Sequence, residues 1–288
     1  MRYANDIVTI EMEPDFGARV TSLRDLRTGR EWLIEGEPTG SSADDAGYGA
    51  DQARGWDECF PTIISTDGVE FGWPGRLRDH GALWGRPWQC REEADGLTAV
   101  CTDSRFRFSR NLRVAGDTIS VDYTISNTGA ERFAYLYSQH MLLSLQEGER
   151  VAVSGVGPLF PNGGSPGDGI RWPGFPEFNP VRGIDAGVMA KLYGNLESDA
   201  RIVAGSPEQA IALRWSARDL PAVGLWFDYG GWPPESPVHQ VAVEPTSAPA
   251  AALTAPAAIW LASGESRAWR IEIRLLDAEN LQEGLFDE

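Results

Sequence analysis

Ile119-Ser120-Val121-Asp122-Tyr123-Thr124-Ile125-Ser126 sets an apolar residue at every second position, and Asn127-Thr128-Gly129 closes the run with turn residues. Strict alternation sends one set of side chains into a core and the other towards water, which predicts a half-buried strand. Working outward, the same reading recurs. Residues 97–101 and 106–114 precede this strand, and Ala115-Gly116-Asp117 supplies the turn that feeds it. Residues 133–145 form a further long strand and Val151-Ala152-Val153 another. Near the start, residues 7–12 and 17–23 read as strands, and a polar turn over 25–30 returns the chain to Trp32-Leu33-Ile34. Near the end, Trp269, Ile271, Ile273 and Leu275 alternate with Arg270, Glu272 and Arg274. Helical periodicity is confined to the last dozen residues. Many short strands separated by turn signals predict an all-β antiparallel sandwich or barrel. All-β folds of more than 200 residues are common as one unit. With no internal repeat and no shift of composition, residues 1–288 are expected to form a single domain.

Two stretches interrupt the pattern. Residues 154–183 are dense in Gly, Pro and aromatics, and a loop of that length inside a domain predicts a lid or wall of a site. Residues 247–258, rich in Ala and Pro, read as a turn region without chemistry.

The charge balance is 25 basic against 42 acidic residues, a net of −17. Nucleic acid and anionic membranes both select a basic footprint, so neither is an expected partner. No apolar run approaches membrane-spanning length and no charged-then-apolar leader opens the chain. Three irregularly spaced cysteines, Cys59, Cys90 and Cys101, indicate neither a disulfide framework nor a zinc knuckle, so a reducing cytoplasmic location is expected. Lys191 is the sole lysine, which leaves Schiff-base chemistry one poor candidate. No nucleophile elbow, phosphate-cradling loop, dinucleotide fingerprint or metal-spaced histidine pair is present.

Val238-His239-Gln240-Val241-Ala242-Val243-Glu244-Pro245 is the stretch that carries chemistry. Its alternation predicts a strand ending at Pro245, with Glu244 at the end, facing away from the valines. A carboxylate there is either a solvated or salt-bridged rim residue or a group whose pKa its surroundings tune. Histidine is scarce, at three residues. His80 precedes a glycine that permits a tight bend. His140 lies in an apolar strand, where a satisfied core imidazole competes with a functional one, and His239 falls on the face opposite Glu244 and reads as structural. Arg54, Asp57 and Glu58 surround Trp56, a set able to read sugar hydroxyls with charge and cover sugar C–H faces with an indole. The competing reading is a turn of solvated charges. Trp84, Trp88, Trp226 and Trp232 fall beside these segments, lining a groove or filling the core. Cys59 has no local activator beyond Arg54 and reads as packing.

In these segments the sequence resembles the aldose 1-epimerases (galactose mutarotases) and the related hexose-6-phosphate mutarotases. Gly17-Ala18-Arg19-Val20-Thr21-Ser22-Leu23 with Thr28-Gly29-Arg30-Glu31-Trp32 is similar to the family's first hairpin. Arg54 through Cys59-Phe60-Pro61 resembles the arginine-and-proline segment of the phosphate-sugar branch, while His80-Gly81 resembles the family's first histidine-glycine pair, His140 the family's second histidine, and Glu244-Pro245 the family's acidic residue near the C-terminus. The resemblance implies a large galactose mutarotase-like antiparallel β-sandwich with a metal-free, cofactor-free site for a small-molecule sugar. It also implies Glu244 as general base, His140 as general acid, and His80 and Arg54 as sugar-holding residues. Asp57 and Asp228 are the alternatives for the family's sugar-binding aspartate, with Trp226 beside them. The chain departs from galactose mutarotases where Met141-Leu142-Leu143-Ser144 follows the second histidine. An isomerase of free-sugar anomers is the leading expectation. A hexose-6-phosphate 1-epimerase, with Arg54, Arg78 and Arg86 receiving phosphate, and a non-catalytic sugar binder are the alternatives.

Overall fold

In the computed structural model, residues 1–36, 47–161 and 169–281 are described. Among them nearly everything regular is strand, and the helical pieces are single 3-10 turns such as Pro14–Phe16 and Val69–Phe71. Every ladder between named strands is antiparallel. The Thr118–Asn127 strand pairs with Phe106–Ala115 on one side and Ser266–Asp277 on the other. Its Ile119, Val121, Tyr123 and Ile125 are all buried, as the alternation requires.

One strand, Val188–Gly205, links the two halves of the sheet. Residues 188–195 pair with Ala222–Tyr229, whereas residues 200–205 pair with Gln209–Trp215. On the first side the order runs through Ala222–Tyr229, His239–Thr246, Ser138–Leu143, Trp56–Cys59 and Arg19–Asp25. On the second it runs through Gln209–Trp215, Ser266–Asp277, Thr118–Asn127 and Phe106–Ala115. The two layers meet face to face around a core of aromatics, in which the Tyr137 ring lies 4.4 Å from that of Trp269. This is a large antiparallel β-sandwich, as expected.

Glu58 belongs to that core. It accepts from Arg110 Nη1 at 2.9 Å, Tyr123 at 2.9 Å, Trp56 Nε1 at 3.0 Å and Tyr137 at 2.7 Å. Burial pushes its carboxyl above the usual range, and Arg110 and the phenols pull it back only in part. Glu58 therefore joins the two layers and reads no sugar. Alternation along Trp56–Cys59 explains the correction, because Asp57 and Glu58 face opposite sides.

Other boundaries also differ. The 133–145 strand is broken: Phe133–Tyr135 pairs with Ile259–Leu261, while Ser138–Leu143 pairs with Trp56–Cys59 and His239–Thr246. The strand that holds Glu244 continues through Pro245 to Thr246, with Pro245 opposite Val223. A central strand tolerates this proline because the ladder to Ser138–Leu143 is interrupted between Met141–Val243 and Ser138–Thr246. Of the region over 154–183, residues 154–161 continue the strand Arg150–Pro161. Beyond it, Trp172 stacks on Phe227 at 5.3 Å. Residues 162–168, and most of the last dozen residues read as helical, lie outside the described residues. Among those described, no helix is long and apolar enough to cross a membrane, and all three cysteines are free.

Candidate active site

Register assembles a single row of side chains across six strands. Tyr193 lies opposite Gly224, and Gly224 opposite Glu244. Met141–Val243 and Ser138–Thr246 bracket Glu244 against His140, which lies opposite Asp57. Val20 opposite Trp56 then brings Arg19 beside Asp57. Strand alternation points these residues away from the core, towards a cavity of about 450 Å³. Its lining includes Tyr48, Asp79, His80, His140, Lys191, Tyr193, Trp226, Trp232, Gln240 and Glu244.

Ionisable groups follow one another along one end of this row, from Arg19 through Asp57 and His140 to Glu244. Arg19 Nη2 donates to Asp57 Oδ2 at 2.7 Å, and both residues are 1% exposed. Asp57 Oδ1 lies 2.9 Å from His140 Nδ1. Burial alone would raise the Asp57 carboxyl, but the Arg19 charge and the His140 hydrogen bond hold it well below the usual carboxylate range. An ionised Asp57 only accepts, so the proton between the two rests on Nδ1. That fixes the imidazole with Nε2 turned to Glu244, whose Oε1 lies 3.9 Å away. Lys191 Nζ pairs with the other carboxylate oxygen, Oε2. Burial pushes the Glu244 carboxyl up, and Lys191 and His140 together outweigh it, so the net shift is downward.

His80 completes one wall. It adopts φ +56° and Gly81 +72°, and a Cβ on Gly81 would come within 2.0 Å of the Phe60 carbonyl oxygen. The glycine predicted to permit a tight bend is thus required there. The His80 ring stacks on Tyr48 at 3.7 Å and meets His140 edge-on at 4.9 Å. Burial lowers its pKa, with Asp79 acting in the opposite direction. The Tyr48 hydroxyl sits 3.1 Å from Asp57 Oδ2 and 3.3 Å from His140 Nδ1, bracing that pair from the cavity side.

Of the residues nominated from sequence, Glu244, His140, His80 and Trp226 line this cavity. The Gln240 amide satisfies its neighbours when its oxygen is assigned towards Trp226, accepting from the indole N–H at 3.1 Å, and its nitrogen towards the Ala53 carbonyl, which anchors Trp226. Asp57 is not a lining residue; it lies behind His140 and orients it. Arg54 stands outside the lining, with Nη1 on the Glu35 carbonyl at 2.9 Å. Asp228 accepts from the backbone N–H groups of Gly231 and Trp232 at 2.9 and 3.2 Å, fixing the turn that delivers Trp232 to the cavity wall. Arg78 bonds the carbonyls of Gly81 and Trp84, and Arg86 pairs with Asp103 at 3.3 Å. Neither lines the cavity.

Some cavity residues carried no signal in the sequence reading. Tyr48 and Tyr193 are ordinary as isolated letters: register brings Tyr193 to Glu244, whereas Tyr48 reaches the cavity wall from a loop, and Arg19, set by register beside Asp57 behind the lining, gave no more signal. Lys191 did carry a signal, since it is the one lysine among 25 basic residues. The region over 247–258, read as without chemistry, supplies Ala251 to the lining, and its carbonyl accepts from Ile63 and Ile64. By contrast, no described residue of 154–183 lines the cavity. Cys59 is buried, and burial raises its thiol well above the usual value, in keeping with packing. His239 stacks on Tyr229, away from the cavity. Among the described residues, no group of three or more His, Cys, Asp or Glu is placed to hold a metal.

What this arrangement can do chemically is move two protons at adjacent atoms. Glu244 Oε1 is buried with no hydrogen-bond partner among the described residues, and His140 Nε2 faces it from a ring held at its other nitrogen.

No family model matches the sequence, and no curated protein does. Solved structures do match. The Slr1438 protein from Synechocystis sp. PCC 6803 superposes with a TM-score of 0.72 at 18% identity over 96% of both chains. A galactose mutarotase related enzyme from Lactobacillus acidophilus gives 0.71 at 16% identity, over 98% of this chain and 100% of that one. A galactose mutarotase-like protein from Lactobacillus casei ATCC 334 gives 0.66 at 16% identity, over 96% and 99%. The likeness to the aldose 1-epimerase family that the sequence suggests thus extends to its architecture: the chain has the galactose mutarotase-like fold.

Proposed function

We propose that the protein is an aldose 1-epimerase-like isomerase, interconverting the α and β anomers of a free sugar by general acid–base catalysis. The observation that carries the reading is the 3.9 Å approach of His140 Nε2 to Glu244 Oε1 at the wall of one cavity. O1 and O5 of a pyranose are bonded to the same carbon, so an acid and a base set side by side serve them better than a pair on opposite sides of a ring. In this scheme Glu244 takes the proton from the O1 hydroxyl. The electrons of that O–H bond form the C1=O1 carbonyl, the C1–O5 bond breaks, and O5 takes the Nε2 proton of an imidazolium His140, which is left neutral with its other proton on Nδ1 against Asp57. Rotation about C1–C2 presents the other face, and closure runs the same proton transfers in reverse. Asp57 positions His140 throughout, and Trp226 and His80 hold the sugar.

The free sugar is preferred over its phosphate because, among the described residues, Lys191 is the only Lys or Arg in the lining, and it already pairs with Glu244. The small sugar is the expected partner, and a soluble cytoplasmic setting is part of the same proposal. Polarimetry on a panel of aldoses and their 6-phosphates tests it. Acceleration of free-sugar mutarotation above the aqueous background is expected. A large preference for the phosphorylated sugar would move the assignment to a hexose-6-phosphate epimerase. Sugar binding without acceleration would make the protein a binder.

A further inference from the structure

Tyr193 lies in the row with Glu244, one strand beyond Gly224. The residue is 1% exposed and lines the cavity, and its hydroxyl has no hydrogen-bond partner among the described residues. A buried hydroxyl left unpaired costs folding free energy that a partner recovers. The Lys191 ammonium lies 5.2 Å from the Tyr193 ring centroid, so the ring packs under the charge that holds Glu244. Between Tyr193 and Glu244 the chain has no side chain at all. A Cβ on Gly224 would come within 2.8 Å of Glu244 Oε2 and 3.1 Å of Tyr193 Cε1.

Building on the isomerase reading, we infer that Tyr193 is a specificity-determining residue whose hydroxyl hydrogen-bonds the substrate's 2-hydroxyl. The order of the row carries the assignment. With the anomeric carbon at the His140–Glu244 pair, O5 faces His140 and O1 faces Glu244. C2 is attached to the anomeric carbon on the side away from O5, so its hydroxyl extends from His140 past Glu244, towards Tyr193. The substrate class is then an aldose with a free hydroxyl at C2, and 2-deoxy aldoses are discriminated against.

The test compares wild type and Tyr193→Phe with an aldose, its 2-deoxy analogue and its 6-deoxy analogue. Binding is followed by fluorescence of the lining tryptophans, turnover by polarimetry. Wild type is expected to bind the 2-deoxy sugar about 3- to 10-fold more weakly than the parent, the worth of one neutral hydrogen bond, with little effect at C6. Tyr193→Phe is expected to lose the same factor on the parent and to treat parent and 2-deoxy sugar alike. Because the variant deletes an unpaired buried hydroxyl, its melting temperature should equal or exceed that of wild type. Equal affinity of wild type for the 2-deoxy sugar, or discrimination surviving in Tyr193→Phe, would overturn the assignment. A variant melting well below wild type would overturn it too, by revealing a structural partner for the hydroxyl. Discrimination in binding without any mutarotation would leave Tyr193 assigned and sink the isomerase reading alone.

Discussion

Asp57 Oδ1 and His140 Nδ1 stand 2.9 Å apart at directly paired positions of neighbouring strands. The contact is therefore set by backbone register, and the imidazole cannot turn its Nε2 from Glu244 without breaking a buried hydrogen bond to an ionised carboxylate. General acid–base groups need this kind of fixed orientation, because proton transfer demands hydrogen-bond distance at the reacting atom.

The first prediction concerns the pair itself. Glu244→Gln keeps the shape of the side chain but cannot accept a proton. It should slow mutarotation by at least the ~10²-fold typical of one general acid–base group, roughly 2.7 kcal/mol of barrier. The loss should fall on kcat more than on KM, since it belongs to the transition state. His140→Asn should behave alike, and the double variant should lose less than the product of the two factors. Steady-state polarimetry with the spontaneous rate subtracted measures all three. Near-native kcat in a folded Glu244→Gln protein would reduce this carboxylate to a structural role.

Lys191 gives the second prediction. Its ion pair is a main reason the buried Glu244 carboxyl lies below its ordinary value instead of above it. Lys191→Met removes that opposition to burial, so the carboxyl should rise and the acid limb of the kcat/KM profile should move to higher pH. Lys191→Arg should restore much of the limb's position. A pH–rate profile unchanged in Lys191→Met would show that Lys191 does not govern the base.

A third prediction follows from Asp57 and concerns stability. The folded carboxyl is held below its unfolded value, so its contribution is fully present above about pH 3.9, the unperturbed aspartate pKa, and is lost as pH falls through the lower folded value. Asp57→Asn also leaves the buried Arg19 charge unpaired, a change that costs about 3–5 kcal/mol in comparable sites. Chemical denaturation should therefore show the variant less stable by a constant amount near neutrality, with the gap narrowing below about pH 4. A gap that widens in acid would contradict the assigned direction.

How far the fold and site were legible in the sequence depended on whether a residue's meaning was local. The alternation at Ile119–Ile125 is local, and the sandwich followed from it. His80, His140 and Glu244 stood out because their types are few or chemically distinct in their segments. Asp57 and Glu58, adjacent in sequence, could not be told apart by composition. Only the pleat of Trp56–Cys59 decides that one orients His140 while the other links the layers through Arg110 and two tyrosines. Pro245 misled for a related reason: the interrupted ladder that accommodates it belongs to a neighbouring strand roughly a hundred residues earlier. Tyr193 and Arg19 join the row purely through register across six strands, which no single segment encodes.

The last prediction uses the gap in that row. Gly224 has a strand conformation open to any residue, yet a methyl group there would lie 2.8 Å from Glu244 Oε2 and 3.1 Å from Tyr193 Cε1. The first of these is the end of a flexible side chain, so the carboxylate can swing aside and the fold should survive. The displaced Glu244 would then sit several tenths of an ångström from its place against Lys191 and His140. Misplacement on the scale of 1 Å can cost on the order of 10²-fold in rate, so Gly224→Ala should lose about 10- to 10²-fold in kcat with a melting temperature close to wild type. Gly224→Ser, with a bulkier group at the same point, should lose at least as much. If both variants turn over normally, Glu244 does not need the space that Gly224 leaves, and the row's geometry is not what sets the rate.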